Sequence, residues 1–220
     1  MRKAIILVVV PLLMGCGGKE PLYKGKPAGY WIQELQDSDP QVRREAAGAL
    51  ATLKAKDAVP QLAATLKDQD AGVRAKAAEA LWSIGPDARE AAQELKAALK
   101  DRSAEVRLSA AGALGAIGAE ARDALPAVCA LLKDRDPNVR ATAAEALGQF
   151  GGEARPAVPA LVEALRDRAK NVRVAAAYAL GAIGPDARVA VPALRAMANQ
   201  KDGDVRSATA YALEQIEGKE

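Results

Sequence analysis

The sequence predicts an all-α solenoid of stacked antiparallel helical hairpins, and three observations carry that prediction. The first is a period. Val-Arg recurs at Val42-Arg43, Val73-Arg74, Val106-Arg107, Val139-Arg140, Val172-Arg173 and Val205-Arg206, with steps of 31, 33, 33, 33 and 33 residues. A fixed step of this length marks one supersecondary unit repeated along an array. The second is composition: 50% of the 220 residues are apolar but only 3% are aromatic. A core of Ala, Leu, Val and Ile follows, and Ala and Leu favour helix over strand. The third is punctuation. Gly85, Gly118, Gly151 and Gly184 each follow the last core residue of a first helix, where a left-handed cap suits a residue without Cβ. Pro60, Pro126, Pro159 and Pro192 fit the opening turn of a second helix, where a backbone N–H has no helical acceptor in any case.

From the N-terminus, Met1-Arg2-Lys3 is a basic start, Ala4 to Met14 is an apolar run, and Gly15 is small. That order reads as an export signal, and the run is shorter than the roughly 20 residues that span a bilayer. It ends in Leu13-Met14-Gly15-Cys16, which resembles the lipobox of bacterial lipoproteins, where cleavage precedes a Cys whose sulfur carries diacylglycerol. Met14 departs from the smaller residue usual at its place. The resemblance implies a signal peptide over 1–15, a lipid on Cys16, and a membrane anchor in the bacterial cell envelope. Gly17 after the Cys, in place of an Asp that retains some lipoproteins in the inner membrane, leans toward the outer membrane.

Loss of Arg2 and Lys3 with the leader leaves 29 Lys plus Arg against 28 Asp plus Glu. A domain so near neutrality has no overall pull toward phosphate, which argues against nucleic acid. Residues 16–27 are rich in Gly, Pro and charge without a helical period and read as the lipidated N-terminus and a linker.

The solenoid is expected over 28–220. It opens on a half unit, because Trp31 stands eleven residues before Val42 in the slot that Leu62, Leu95, Val128, Leu161 and Leu194 fill later. Repeat three shows the pattern. Val106, Ala110, Ala111, Ala113, Leu114 and Ile117 share one side of a helix, and Leu125, Val128, Leu131 and Leu132 mark a second helix after Gly118. Repeat two has Gln93 in the proline slot, and repeat one is two residues short with no turn glycine. The array of about five repeats ends in another half unit over 203–217, with no second helix to cover Val205, Leu213 and Ile216. The frame D-x-D-x-x-V-R-x-x-A-A-x-A-L resembles the short HEAT repeats of phycobilisome-lyase-like proteins. That family implies a curved surface for partner proteins, with some members acting as enzymes or enzyme accessories.

Reactive chemistry is sparse. The chain contains no histidine, the commonest general base and metal ligand, so no catalytic, cofactor-binding or metal-binding residues are singled out. Cys129 stands without His or a second Cys nearby in the sequence and reads as a core filler. Two charge ladders recur. Asp37, Asp68, Asp101, Asp134 and Asp167 each precede the next Arg of Val-Arg by six residues, which predicts pairing between the end of one hairpin and the start of the next. Arg89, Arg122, Arg155 and Arg188 sit beside Asp87, Glu120, Glu153 and Asp186, which predicts pairing within the turns.

Function is expected where the copies differ. The residue six after each Val faces away from the core at 100° per residue, and its occupants are Gly48, Glu79, Gly112, Glu145, Tyr178 and Tyr211. Tyr178 and Tyr211, in adjacent copies of a chain poor in aromatics, are candidate partner-binding residues. Trp82, in a slot held by Gly115, Gly148 and Gly181 elsewhere, is a third if it projects outward, and a wedge between helices if it does not. Ala64, Ala97, Ala130 and Ala196, interrupted by Glu163, predict a smooth strip on the second helices. These readings predict a non-enzymatic, lipid-anchored scaffold for a protein partner, with no nucleic acid, metal or cofactor. The alternatives are an accessory or lyase-like module holding a small hydrophobic ligand, and a plain spacer.

Overall fold

The computed structural model describes residues 20–218; the predicted leader and Cys16 lie outside the described residues. The chain runs through α1 (Ala28–Glu34), α2 (Pro40–Leu53), α3 (Val59–Thr65), α4 (Ala71–Ile84), α5 (Ala92–Ala98) and α6 (Ala104–Ile117). It continues through α7 (Leu125–Ala130), α8 (Pro137–Gln149), α9 (Val158–Ala164), α10 (Lys170–Ile183), α11 (Val191–Met197) and α12 (Gly203–Glu217). Even-numbered helices are long and stack on one another in order, while each odd-numbered helix packs on the long helix that follows it. The result is two layers sharing one apolar core, continuous from Trp31 to Ile216. Leu50, Leu81, Leu114, Leu147 and Leu180 on the long helices, and Leu62, Leu95, Leu161 and Leu194 on the short ones, are fully buried. The repeat frame therefore places its leucines where the sequence predicts.

The connection between the two helices of a hairpin differs from expectation. The second helix does not start at the turn glycine, because 3₁₀ segments intervene at Gly85–Ala91, Gly118–Ala124, Gly151–Ala157 and Gly184–Ala190. With three residues per turn, alanines spaced by three face the same way, and Ala121 with Ala124, like Ala154 with Ala157, is buried. The short α-helix begins one residue before the proline slot, whether that slot holds Pro126, Pro159 or Gln93, and a proline so near the helix start forfeits no helical hydrogen bond. Gly118 has φ 71° and ψ −138°. The positive φ is as expected, but this ψ lies outside the left-handed helical well, in a region open to glycine almost alone. Repeat one closes differently: Lys54 itself adopts the left-handed conformation, at φ 47° and ψ 46°.

Both ends of the array are covered more completely than the sequence suggests. Tyr23 and Lys26 exchange backbone hydrogen bonds at 2.9 Å in a tight turn, and the Tyr23 and Tyr30 rings meet Trp31 edge-on at 5.6 and 5.1 Å. The Trp31 indole Nε1 donates to the Tyr23 carbonyl. Residues 23–27, read from sequence as linker, thus belong to the N-terminal cap. At the other end Val205 and Ile216 are buried on α12, and of the three residues expected to lack cover only Leu213 is partly open. The stretch Lys170–Met197 is long and apolar enough to suggest a membrane span, but it is the α10–α11 hairpin, turned at Gly184 with φ 74°.

The Arg of each Val-Arg ties successive hairpins together, with partners other than those expected. Arg43 holds both oxygens of Asp68 through Nε at 2.7 Å and Nη2 at 2.9 Å. Arg74 holds Asp101, Arg107 holds Asp134 and Arg140 holds Asp167 in the same way. The Asp six residues earlier gives only its backbone carbonyl, as Asp37 does to Arg43 Nη1 at 2.9 Å. Its carboxylate is turned the other way, accepting the backbone N–H two residues on, as Asp68 does from Asp70 at 2.8 Å. Each guanidinium therefore bridges two successive loops, and planar two-point pairing makes these strong contacts.

The rungs are expected to weaken in acid. The Arg43 and Arg140 forks, first among the causes, hold the Asp68 and Asp167 carboxyls below the usual carboxylate range against the opposing effect of burial. At Asp101 and Asp134 burial is the largest single influence and raises the pKa, yet Arg74 and Arg107 together with backbone N–H donors bring it below the ordinary value. Folded values below the unfolded value of about 3.9 mean a stabilisation fully present above that pH and lost as pH falls toward the folded values. Chemical denaturation at several pH values is expected to show a plateau above about pH 5 and falling stability below about pH 4. A stability maximum near pH 3 contradicts this.

Candidate functional site

Tyr178 on α10 and Tyr211 on α12 meet on the outer surface, with ring centroids 5.4 Å apart and planes inclined by 52°. They remain 45% and 39% exposed. Their approach depends on Gly181, where a Cβ would come within 2.8 Å of the Tyr211 ring. One side of Tyr211 thus covers the neighbouring backbone, while the rest of the pair faces solvent. The pair is an amphipathic platform whose rings are held by rigid helices, a low-entropy arrangement for burying aromatic area against a partner.

Trp82 does not join them. Its ring lies against Gly112 on α6, where a Cβ would be 2.7 Å from the ring atoms, so it wedges between helices, half-buried on the core. With α6 and α8 standing between α4 and α10, Trp82 is a packing residue remote from the tyrosines. Glu145, in the same outward slot as Tyr178, has its carboxyl pushed above the usual range by burial.

The short-helix surface carries the expected strip: Ala64, Ala97, Ala130, Ala196 and Glu163 are all exposed. Shallow clefts lie between successive short helices, including one of about 270 Å³ lined by Leu132, Ala160 and Glu163. Cys129, half-buried, borders a more apolar cleft of about 470 Å³ with Leu125, Pro126, Pro156 and Arg122. Burial pushes its thiol up, which leaves little of the nucleophilic thiolate. The second charge ladder does not pair as expected. Asp87 meets Lys56 at 2.6 Å, Arg155 only approaches Asp186 of the next turn at 3.8 Å, and Arg89, Arg122 and Arg188 form no ion pair among the described residues. Among those residues no group of three His, Cys, Asp or Glu side chains is placed to hold a metal ion.

The sequence matches the family of HEAT repeats over residues 30–115, 92–157 and 152–214. The chain belongs to the HEAT-repeat family. Solved structures place its array among repeat solenoids. An engineered protein is 27% identical with a TM-score of 0.71, covering 86% of this chain and 96% of its own. A chain from the complex of CpcE and CpcF of phycocyanin lyase from Nostoc sp. PCC7120 is 26% identical with a TM-score of 0.67, covering 95% and 82%. A designed armadillo repeat protein solved with the peptide (KR)4 is 20% identical with a TM-score of 0.69, covering 85% and 98%; at that identity the likeness concerns the fold. No curated protein matches the chain significantly. The HEAT array here is thus a repeat-solenoid scaffold, a fold commonly used for binding proteins or peptides.

Two surface features of this HEAT array escaped the sequence reading. Val189 is 71% exposed in the last 3₁₀ turn, and its signal was present, since the same slot holds Glu90, Asp123 and Pro156 in earlier turns. The other is at position 200, where Gln200 replaces the Asp that recurs from Asp37 to Asp167.

Proposed function

We propose that the chain is a protein-binding scaffold that acts by binding and not by turnover, exported and anchored in the bacterial cell envelope through a lipid on Cys16. The observation that carries the binding reading is the exposed Tyr178–Tyr211 platform on a rigid repeat array. The ordered leader ending in Gly15-Cys16 supports the anchor. Because the cap begins at Tyr23, the six residues 17–22 give a tether of roughly 20 Å when extended, which holds the array close to the membrane. Its C-terminal repeats point to the partner, with the anchor at the opposite end of the chain.

The test is purification of the tagged chain from detergent-solubilised envelopes, with wild type beside the double variant Tyr178→Ala, Tyr211→Ala. A stoichiometric protein lost from the double variant, at unchanged helicity, is the expected result. Full recovery with the variant moves the contact to the alanine strip. Lipidation is tested separately: metabolic fatty-acid labelling is expected in wild type and absent in Cys16→Ser, and equal labelling of both rules the anchor out.

A second reading, an accessory or lyase-like module holding a small hydrophobic ligand, is favoured by the apolar cleft beside Cys129 and the likeness to the CpcE–CpcF chain. A chromophore or lipid retained in the same purification, without a protein partner, supports it.

A further inference from the structure

The Arg–Asp rungs stop one short of the end of the array. Arg173 repeats the first half of the contact, with Nη1 donating to the carbonyls of Asp167 at 2.9 Å and Arg168 at 3.2 Å. The carboxylate that should meet its Nε and Nη2 belongs to position 200, which is Gln200. Everything else in the rung is intact. The Gln200 N–H donates to the Met197 carbonyl at 3.0 Å, as Asp167 does to Ala164 at 3.0 Å. Arg206 Nη1 donates to the carbonyls of Gln200 at 3.0 Å and Lys201 at 2.7 Å. Yet the Arg173 Nε is buried without a hydrogen-bond partner. Beside it opens a cleft of about 440 Å³ lined by Leu165, Arg166, Ala193, Ala196, Met197 and Gln200. Asp167 also borders this cleft, but its carboxylate is already held by Arg140 at 2.8 and 2.9 Å.

We propose that Arg173 and this cleft form a carboxylate-binding subsite, which takes one carboxylate of a partner polypeptide, either its C-terminal group or an Asp or Glu side chain. The protein supplies its own template, since four guanidiniums of the same frame each hold a carboxylate through Nε and Nη2. A buried N–H without an acceptor is costly, and a planar guanidinium fork matches the two oxygens of a carboxylate. Arg166 adds positive charge, and the walls of Leu165, Ala193, Ala196 and Met197 suit the carbon chain behind the carboxylate. The proposal deepens the binding-scaffold reading and rests on it, but its test does not require the partner.

The test follows the arginine Nε–H resonances of the full-length chain by NMR. The probes are propionate, an acetylated alanine peptide with a free C-terminal carboxylate, and an acetylated, amidated alanine peptide with one central glutamate. On saturation the Arg173 signal is expected to move toward those of Arg43, Arg74, Arg107 and Arg140, which stay fixed. The peptide acting at lower concentration identifies the source of the carboxylate. Gln200→Asp restores the internal rung: it is expected to place the Arg173 signal with the other four without ligand, to abolish the response, and to raise Tm by about 2–4 °C. An Arg173 signal unmoved by all three probes, a shift reproduced by chloride at equal ionic strength, or an undiminished response in Gln200→Asp overturns the proposal. Any of these, with a partner still captured through the tyrosines, leaves the scaffold reading standing.

Discussion

Leu114→Ala is expected to destabilise the folded array by about 2–5 kcal/mol. Leu114 is fully buried in the last turn of α6, a helix that packs between α4 and α8 and is covered by α5 and α7 or their flanking turns. Truncation loses the transfer energy of three carbons and leaves a cavity that close-packed neighbours only partly fill. A solenoid is held by contacts between nearest neighbours, so a defect in the third repeat weakens the coupling of both halves. Arg122→Ala removes an exposed, unpaired side chain of the same repeat and should change stability by under about 1 kcal/mol. Chemical denaturation that ranked the two in the opposite order contradicts the assignment of inside and outside.

Asp134→Ala is expected to cost about 3 kcal/mol, the lower end of the range for breaking a buried ion pair. The Arg107 and Asp134 side chains are only 8% and 9% exposed, so removing the carboxylate leaves a guanidinium with two donors unmet. It also removes the acceptor of the Asp136 N–H at 2.9 Å, which shapes the loop entering α8. The lower end applies because the rung sits at the loop edge of the helix layers, where water can reach part of the fork once the carboxylate has gone. Replacing both members by apolar residues should cost less than the single change, since no charge is then stranded. A double variant less stable than Asp134→Ala contradicts this account.

Most of the fold was legible because it is written in a period. Val-Arg every 33 residues, the buried leucine eight residues later and the proline at the short helix locate the hairpins without reference to any contact. The 3₁₀ segments were not legible, since Ala88 with Ala91 fits either a 3-residue or a 3.6-residue turn, and in that repeat, with Gln93 in the proline slot, no proline marks the change. The rung partners were misread because six residues of sequence separation suggested a local pair. The carboxylate that reaches Arg107 lies 27 residues on, across the hairpin, and its proximity is a product of stacking. The tyrosine platform was half legible. Its spacing placed Tyr178 and Tyr211 on one side, but the ring contact needs the missing side chain of Gly181. Trp82 answers to the same logic in reverse: Gly112 on the next helix makes room for it, and a residue that looked anomalous is a space filler.

The proposed docking of a partner protein on the Tyr178–Tyr211 end of the array can be read in living cells. Its most direct measurement is photocrosslinking in intact cells, with a benzoylphenylalanine group placed at position 211 in one chain and at position 97, on the alanine strip, in another. One discrete crosslinked protein is expected from position 211 and none from position 97. Crosslinks from position 97 alone, or the absence of any crosslinked protein from either position, contradict it.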